Sequence, residues 1–559
     1  MQMILRRAHV LAISILAVSA AALALAGSAS AFQLGSLSPF SPPSCLNASA
    51  PCVADPTYGQ LRASVPVDDV LYVAFDNNDP KPGLVSFRIN PNGSIGAKIN
   101  CIQQAPVTIP GCSVAAGLDG AYIQNLKSSA DHKTLYVSAD PTAGKPSSIT
   151  AFAIDSATGL GALRNCLVGS SAASPSGCAV DDRIKFHSSN FDVSSNTMYA
   201  VGASTTQNIF DTLEFRRLDP DGKISTDSYG CKRTGAPGLC AEGSLPVGMQ
   251  PWAVAVGPGA LYVSDFTPGH LRSFALSPNG AVGAAVGDVT DPALSFPDAI
   301  AVSPSGSHLY SDSTKTGPDP EDTAGRLLSF PITPGGSIGP RDGCLAGNTA
   351  VNPLPAGCML APSMNDSMGG VAVTPDGQTV TTMTAYVGPI ILYSASVSST
   401  GAINGLSNCV TPSIGLAGCT TTHSFDRGWV SATDRAVYVG GTSLAAFSRA
   451  LPPSCTPVNQ NIYAGLKATI KVSCTDANGD AVSLIPPVVP AIFPPPFTNF
   501  DAAARSFTYT PRPKFVGIDQ FNFVPTDGGL NGSEVTVTLN VAKGPTSKIN
   551  AVRSSVKAS

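Results

Sequence analysis

Six residues hold most of the sequence's potential for chemistry. His187 (in DDRIKFHSSNF) and His423 (in TTHSFDRGW) each stand just ahead of a short strand signal, and Arg183, Trp252, Asp298 and Arg427 occupy comparable places. A general base needs a partner within hydrogen-bond reach, which only the fold can supply. Ordinary loop packing is the alternative for all six. Beyond residue 31 the histidines are His132, His187, His270, His308 and His423, and they form no H-x-H or H-E-x-x-H pair. His132 and His308 sit in tight turns, where exposure is expected. G-x-S-x-G elbows, P-loops and dinucleotide fingerprints do not occur, which disfavours elbow hydrolases and nucleotide enzymes.

A second cluster is acidic. Asp476, Asn478 and Asp480 place oxygen ligands at alternate positions around Gly479, which suits a hard cation such as Ca²⁺. Asp519 and Asp527 would join that shell if the fold brings them near. Pro487 stands where an EF-hand needs Glu, so that motif is excluded. The alternative is a solvated Asx turn capping backbone N–H groups. Asp76, Asp140, Asp265 and Asp312 each follow a Tyr-containing strand signal; they either ring one face of the fold or mark strand ends.

These residues are positioned by a repeat. Leu71-Tyr72-Val73, Leu135-Tyr136-Val137, Met198-Tyr199, Leu261-Tyr262-Val263, Leu309-Tyr310 and Val437-Tyr438 recur with a degenerate copy at Thr379-Val380, giving units of roughly 60 residues that suggest propeller blades. Before the Tyr strand comes a tight turn, as in AVSPSGSHLY; after it comes another, as in FRINPNGSIG and FALSPNGAVG. Asn-Gly and Gly-Gly supply the positive φ that such turns need. Four antiparallel strands per unit are expected. The segment from residue 32 has no blade of its own and is expected to complete the last one, closing the ring.

Composition agrees. Gly (54) and Pro (48) are abundant among 559 residues and only 13% are charged, against about 25% in ordinary domains, which excludes a coiled coil. The 43% hydrophobic content argues against disorder, and a net charge of −4 with sparse Lys and Arg makes a poor nucleic-acid binder. Residues 1–31 place Arg6 and Arg7 before an apolar run ending in Ala29-Ser30-Ala31, the pattern of a secretory signal peptide. No later stretch is long and apolar enough to span a membrane. The fourteen cysteines fall into close couples: Cys45 and Cys52, Cys101 and Cys112, Cys166 and Cys178, Cys231 and Cys240, Cys344 and Cys358, Cys409 and Cys419, Cys455 and Cys474. Neighbour disulfides formed in an oxidising compartment are the simplest account. The unit between Cys240 and Cys344 lacks a couple.

The phrase PWAVAVGPGALYVSDFTPGHLRSFALSPNG resembles the YVTN and NHL types of bacterial propeller repeat, and the span 32–451 resembles the secreted lactonase-like, seven-bladed group. Cytosolic 6-phosphogluconolactonase-like members carry a Pro-Arg-His segment entering a blade. Here the corresponding segments read Gln250-Pro251-Trp252 and Phe296-Pro297-Asp298. Residues 452–542, with SCTDANGD, FTYTP and FVGIDQF, resemble bacterial Ig-like and cadherin-like modules, and 543–559 reads as a disordered basic tail.

The expectation is therefore an exported, all-β protein, periplasmic or extracellular: a seven-bladed β-propeller followed by a small Ig-like β-sandwich. Its first functional reading is recognition of an extracellular glycan, an envelope component or a protein through the propeller face. The alternative is a lactonase-like hydrolase with its site at the channel mouth. No cofactor is implied beyond calcium in the last module.

Overall fold

The computed structural model describes residues 34–46 and 58–544, except 78, 116, 119–121, 141–146, 170–177, 182–189, 204–209, 235–243, 268, 317–322, 367, 385–388, 414–415, 417, 424, 427, 487–496 and 513. The expected signal peptide and residues 545–559 of the tail lie outside the described residues, as do Arg183, His187 and Arg427. The described chain is all-β and contains no helix. It divides into two units, Leu34–Ala450 and one that contains Leu451–Ser559.

Leu34–Ala450 forms a β-propeller. Among the described residues it contains seven sheets, each with four main antiparallel strands laid side by side. The innermost strands are Gln60–Val67, Tyr122–Ser128, Asn190–Val193, Pro251–Gly257, Ile300–Val302, Met368–Val373 and Trp429–Ala432. Each contacts the next, and the last contacts the first, so they run around a closed circuit. All seven line one central cavity of about 450 Å³.

The Tyr-containing strand is second in its sheet, and in the sixth sheet Thr379–Thr384 takes that place. Its neighbours cover both faces, so it shows no alternation: every residue of Ala260–Asp265 and of Ala436–Gly440 is buried. That double burial is why the sequence there reads apolar-Tyr-Val rather than apolar-polar. Between the third and fourth strands of five sheets, register shifts occur near residues 87, 152, 217, 274 and 395. Such bulges increase local twist.

Most of these tyrosines also reach the next sheet. Tyr72 Oη donates to the Gly159 carbonyl (3.2 Å), Tyr136 to Gly222 (3.1 Å), Tyr199 to Gly280 (3.0 Å) and Tyr310 to Gly401 (2.7 Å). These glycines sit in the turn between the third and fourth strands, with positive φ. At Gly93, with φ 92°, a Cβ would also stand 2.8 Å from that of Ala436. Two demands, on backbone angle and on space, thus select glycine there.

Six of the sheets differ from the four-strand expectation by an added short outer strand. In five it runs parallel to the fourth strand: Ser113–Ala115, Ala179–Val180, Ser244–Leu245, Met359–Leu360 and Thr420–Thr421. Four of these begin directly after the second cysteine of a couple. The disulfides Cys101–Cys112, Cys166–Cys178, Cys344–Cys358 and Cys409–Cys419, with Cα–Cα distances of 4.4–4.7 Å, therefore tie the added strand to its neighbour. Cys45 and Cys231 are disulfide-bonded too, while Cys52 and Cys240 lie outside the described residues. The fourth sheet has no couple and no fifth strand.

The last sheet contains two strands from the start of the chain. Leu37–Pro39 and Cys45–Leu46 both pair antiparallel with Leu444–Arg449. Asn408 of the sixth sheet grips the same segment: its Oδ1 accepts from Leu37 N, and its Nδ2 donates to Leu37 O, each at 2.8 Å.

The C-terminal unit packs a four-stranded sheet (Val458–Tyr463, Val535–Ala542, Gly517–Thr526, Ser483–Ile485) and a three-stranded sheet (Ala468–Lys471, Ser506–Tyr509, Phe497–Asp501) around one core. Ile470, Phe507 and Tyr509 meet Phe523, Val537 and Leu539 there. Val535–Ala542 alternates buried and half-buried residues, as a strand with one covered face must. Cys455–Cys474 joins a separate two-stranded ladder.

Candidate active site

Two of the six candidate residues meet. The Trp252 indole Nε1 donates to Asp298 Oδ1. Trp252 lies on the innermost strand of the fourth sheet, and Asp298 in the segment leading into that of the fifth. Both line a pocket of about 270 Å³ with Phe266, Phe296, Thr314, Thr316 and Met368. The rings form a continuous wall: Trp252 stacks on Phe266 at 4.6 Å between centroids, and Phe266 lies 5.2 Å from Phe296.

Behind Asp298 sits Asp312, fully buried. Its Oδ1 accepts the backbone N–H groups of Asp298 (3.1 Å) and Ala299 (2.6 Å), and its Oδ2 that of Gly370 (3.0 Å). Asp312 thereby fixes the bend that presents Asp298 to the pocket, and ties it to the sixth sheet. The equivalent strand-end acids have cations: Asp76 bonds Arg62 at 2.5 Å, and Asp265 bonds Arg272 at 3.1 Å. No Lys, Arg or His bonds Asp312 among the described residues.

That difference sets the charge. Burial pushes the Asp298 carboxyl above its usual range, against the pull of the indole hydrogen bond. Burial likewise raises Asp312, and the charge of Asp298 raises it further, while the three backbone N–H groups hold it down. Two such carboxyls titrate as a pair, and ionising one makes the other resist further. The pair retains a proton at pH values where an isolated aspartate has lost it. Asp298, which faces the pocket, is therefore a base of unusual strength for its type.

The other candidates lie elsewhere. His423 is stacked on Phe447 (5.4 Å, 7° between planes) and is not among the residues lining the pocket. Its Nδ1 meets Thr422 Oγ1 at 3.2 Å, and burial lowers its basicity. His308, expected to be exposed, is buried at 4% relative accessibility. Its Nε2 lies 2.8 Å from Asp342 Oδ2, because the neighbouring sheet's Gly401 turn closes over the hairpin. His132 is exposed, as its turn position suggested, with φ 57°.

In the C-terminal unit the acidic residues are engaged in turns. Asp476 Oδ1 accepts from Asn478 N (2.7 Å) and Asp480 N (3.2 Å), and Asn478 Oδ1 accepts from Leu451 N. Asp519 accepts the Tyr509 hydroxyl at 2.5 Å; Asp527 caps Gly529 and Leu530. Burial raises Asp480, with Asp476 and Asp527 adding to the effect. No group of three or more His, Cys, Asp or Glu suited to a metal occurs among the described residues. The hydrogen bonds present are those of the Asx-turn alternative.

Sequence reasoning missed Phe266, Phe296 and Met368 as pocket walls, and missed how Asp312 differs from Asp76 and Asp265. An aromatic residue directly after the strand-end Asp265 was the one local signal.

No protein-family model matches the sequence, and no curated protein matches it. Among solved structures, the chain is similar to the Pseudomonas aeruginosa periplasmic gluconolactonase PpgL, at 14% identity over 65% of this chain and 87% of that one, with a TM-score of 0.39. It is also similar to Kuenenia stuttgartiensis hydrazine synthase (9% identity, 71% and 96% coverage, TM-score 0.41) and to the Dos1 propeller (10%, 74% and 95%, 0.37). Likenesses of this depth say nothing about activity.

Proposed function

We propose that the chain is an exported hydrolase that opens lactones, with Asp298 as general base in the aromatic pocket. The single observation behind this reading is the Asp298–Asp312 relationship: a pocket-facing carboxyl backed by a second one that no cation bonds among the described residues. A protein that only binds has little use for an acid held in that state. A base does, since proton transfer is most efficient when its pKa lies near the working pH.

The reaction is a balanced hydrolysis. Asp298 takes a proton from water as the water oxygen bonds to the lactone carbonyl carbon. The ring C–O bond then breaks, and the departing alkoxide receives that proton, giving the hydroxy acid. Asp312 holds the Asp298 backbone through its N–H groups, while burial raises the basicity of the Asp298 carboxylate; Asp312 is a positioning residue.

In this proposal the ring is a seven-bladed propeller of lactonase-like type, supported by seven sheets around one cavity. The C-terminal unit is an Ig-like sandwich, supported by its two packed sheets. Export is supported by the five disulfides whose cysteines are both among the described residues and by the Arg-Arg and apolar pattern of residues 1–31.

The test is acid release from γ- and δ-lactones in a pH-stat, comparing the parent with Asp298→Asn. Loss of a general base should lower kcat by about 100-fold or more. Turnover by the parent that the variant matches, or no turnover of any lactone by the parent, would overturn the proposal.

A further inference from the structure

The walls of the pocket say more about the substrate than its carboxyl does. Trp252, Phe266, Phe296 and Met368 present two stacked rings, a third ring against them, and a thioether. The polar groups are few, and two of them are already engaged. The Trp252 N–H is held by Asp298, and Thr314 Oγ1 already accepts from Met368 N at 3.0 Å. A polyhydroxylated ring placed here would leave hydroxyls without partners, and each buried unpaired hydroxyl weakens binding. A phosphate would meet an acid rather than a cation.

An apolar substituent meets the opposite situation. Aromatic faces and a flexible Met side chain bury alkyl or aryl groups well, and Met adapts its shape to irregular ones. The pocket volume of about 270 Å³ sits just below the ordinary small-molecule range of about 300–1,000 Å³. There is room for a lactone ring with one short chain or one phenyl group, and not for a long acyl tail.

We infer that this pocket selects lactones bearing a short alkyl or aryl substituent over sugar lactones, with Phe266 and Met368 as specificity residues. The inference rests on the hydrolase reading for turnover, and on the pocket walls alone for binding.

Three probes separate the two: δ-decalactone, unsubstituted δ-valerolactone and glucono-δ-lactone. The expected order of kcat/KM is δ-decalactone first, with glucono-δ-lactone lower by about tenfold or more, since even one methylene in an apolar pocket is worth about tenfold. Phe266→Ala should raise KM for δ-decalactone by a larger factor than KM for δ-valerolactone; Phe266→Leu, which keeps the volume more nearly filled, should show a smaller difference in the same direction. Binding is read independently by fluorescence in a Trp429→Phe protein, where Trp252 is the remaining indole. Quenching by δ-decalactone but not by glucono-δ-lactone supports the inference even where neither is hydrolysed, which would sink the hydrolase proposal alone. Hydrolysis of glucono-δ-lactone as fast as or faster than δ-decalactone overturns the inference and leaves the hydrolase standing. Neither quenching nor turnover with δ-decalactone overturns both.

Discussion

The Tyr438 hydroxyl of the last sheet donates to the Gly93 carbonyl of the first, at 2.8 Å. This is the bond that Tyr72, Tyr136, Tyr199 and Tyr310 make to the next sheet along, repeated across a gap of 345 residues. The ring is therefore closed by the same contact that links its other members. Tyr262 is the exception: its hydroxyl is buried and finds no partner among the described residues.

That contrast predicts unequal costs for one chemical change. Tyr438→Phe should destabilise by about 1 kcal/mol, because it removes a buried hydrogen bond and leaves a carbonyl unmatched. Tyr262→Phe removes no hydrogen bond and should be neutral or slightly stabilising. Chemical denaturation of both variants beside the parent checks this; an equal loss in the two would show that the bond is not what the tyrosine contributes.

The carboxyl pair predicts the acid side of the rate profile. Asp298 must be ionised to accept a proton, and its proton affinity is raised, so kcat should fall with decreasing pH well before the ordinary aspartate value of about 4. A lactone-hydrolysis profile that stays flat down to that value would contradict the assignment.

The same shift predicts an effect on stability with the opposite sign from that of an ordinary ion-paired aspartate. In the unfolded chain Asp298 ionises near pH 4, whereas in the folded chain it resists. Its contribution is thus fully present below that pH and is lost as pH rises through the raised value. Asp298→Asn keeps an acceptor for the Trp252 indole and removes the ionisation. Its Tm should match the parent at low pH and exceed it at neutral pH. A variant less stable than the parent at neutral pH would show that the acid is held in its charged form.

For the staples, the double substitution Cys344→Ala with Cys358→Ala frees Met359–Leu360 from the strand beside it. Opening a 14-residue separation should cost about 3 kcal/mol in the chain-entropy treatment. Calorimetry reads the loss. Hydrogen exchange should show it concentrated at residues 343–346 and 359–360; a uniform change across all seven sheets would argue against a local staple.

Much of the ring is legible in the sequence because its tyrosines and turn glycines answer local demands. A strand covered on both faces must be apolar throughout, and a turn at positive φ selects Gly, so each repeat declares itself. The couples Cys101–Cys112 and Cys409–Cys419 are legible because close cysteines have short loops to close. The added strands are not: Ala179–Val180 and Thr420–Thr421 are two residues long, and two residues carry no period. His308 misled because exposure in a turn depends on the neighbouring sheet, which the local sequence does not contain. Trp252 and Asp298 stood out as departures from a family pattern, but Asp312 looked like Asp76 and Asp265. Only the absence of a cation, a tertiary fact, sets it apart.

The pairing of Leu37–Pro39 with Leu444–Arg449 also imposes an order in time. The segment that emerges first during synthesis has no strand to join until the last turn of the ring has been made, some 400 residues later. For that interval Leu37–Pro39 must wait with its backbone hydrogen-bonding groups facing water. Loop-closure entropy grows only with the logarithm of length, so the long wait adds little thermodynamic cost. What it adds is a window, late in folding, in which an open ring could accept the first strand of another copy in place of its own.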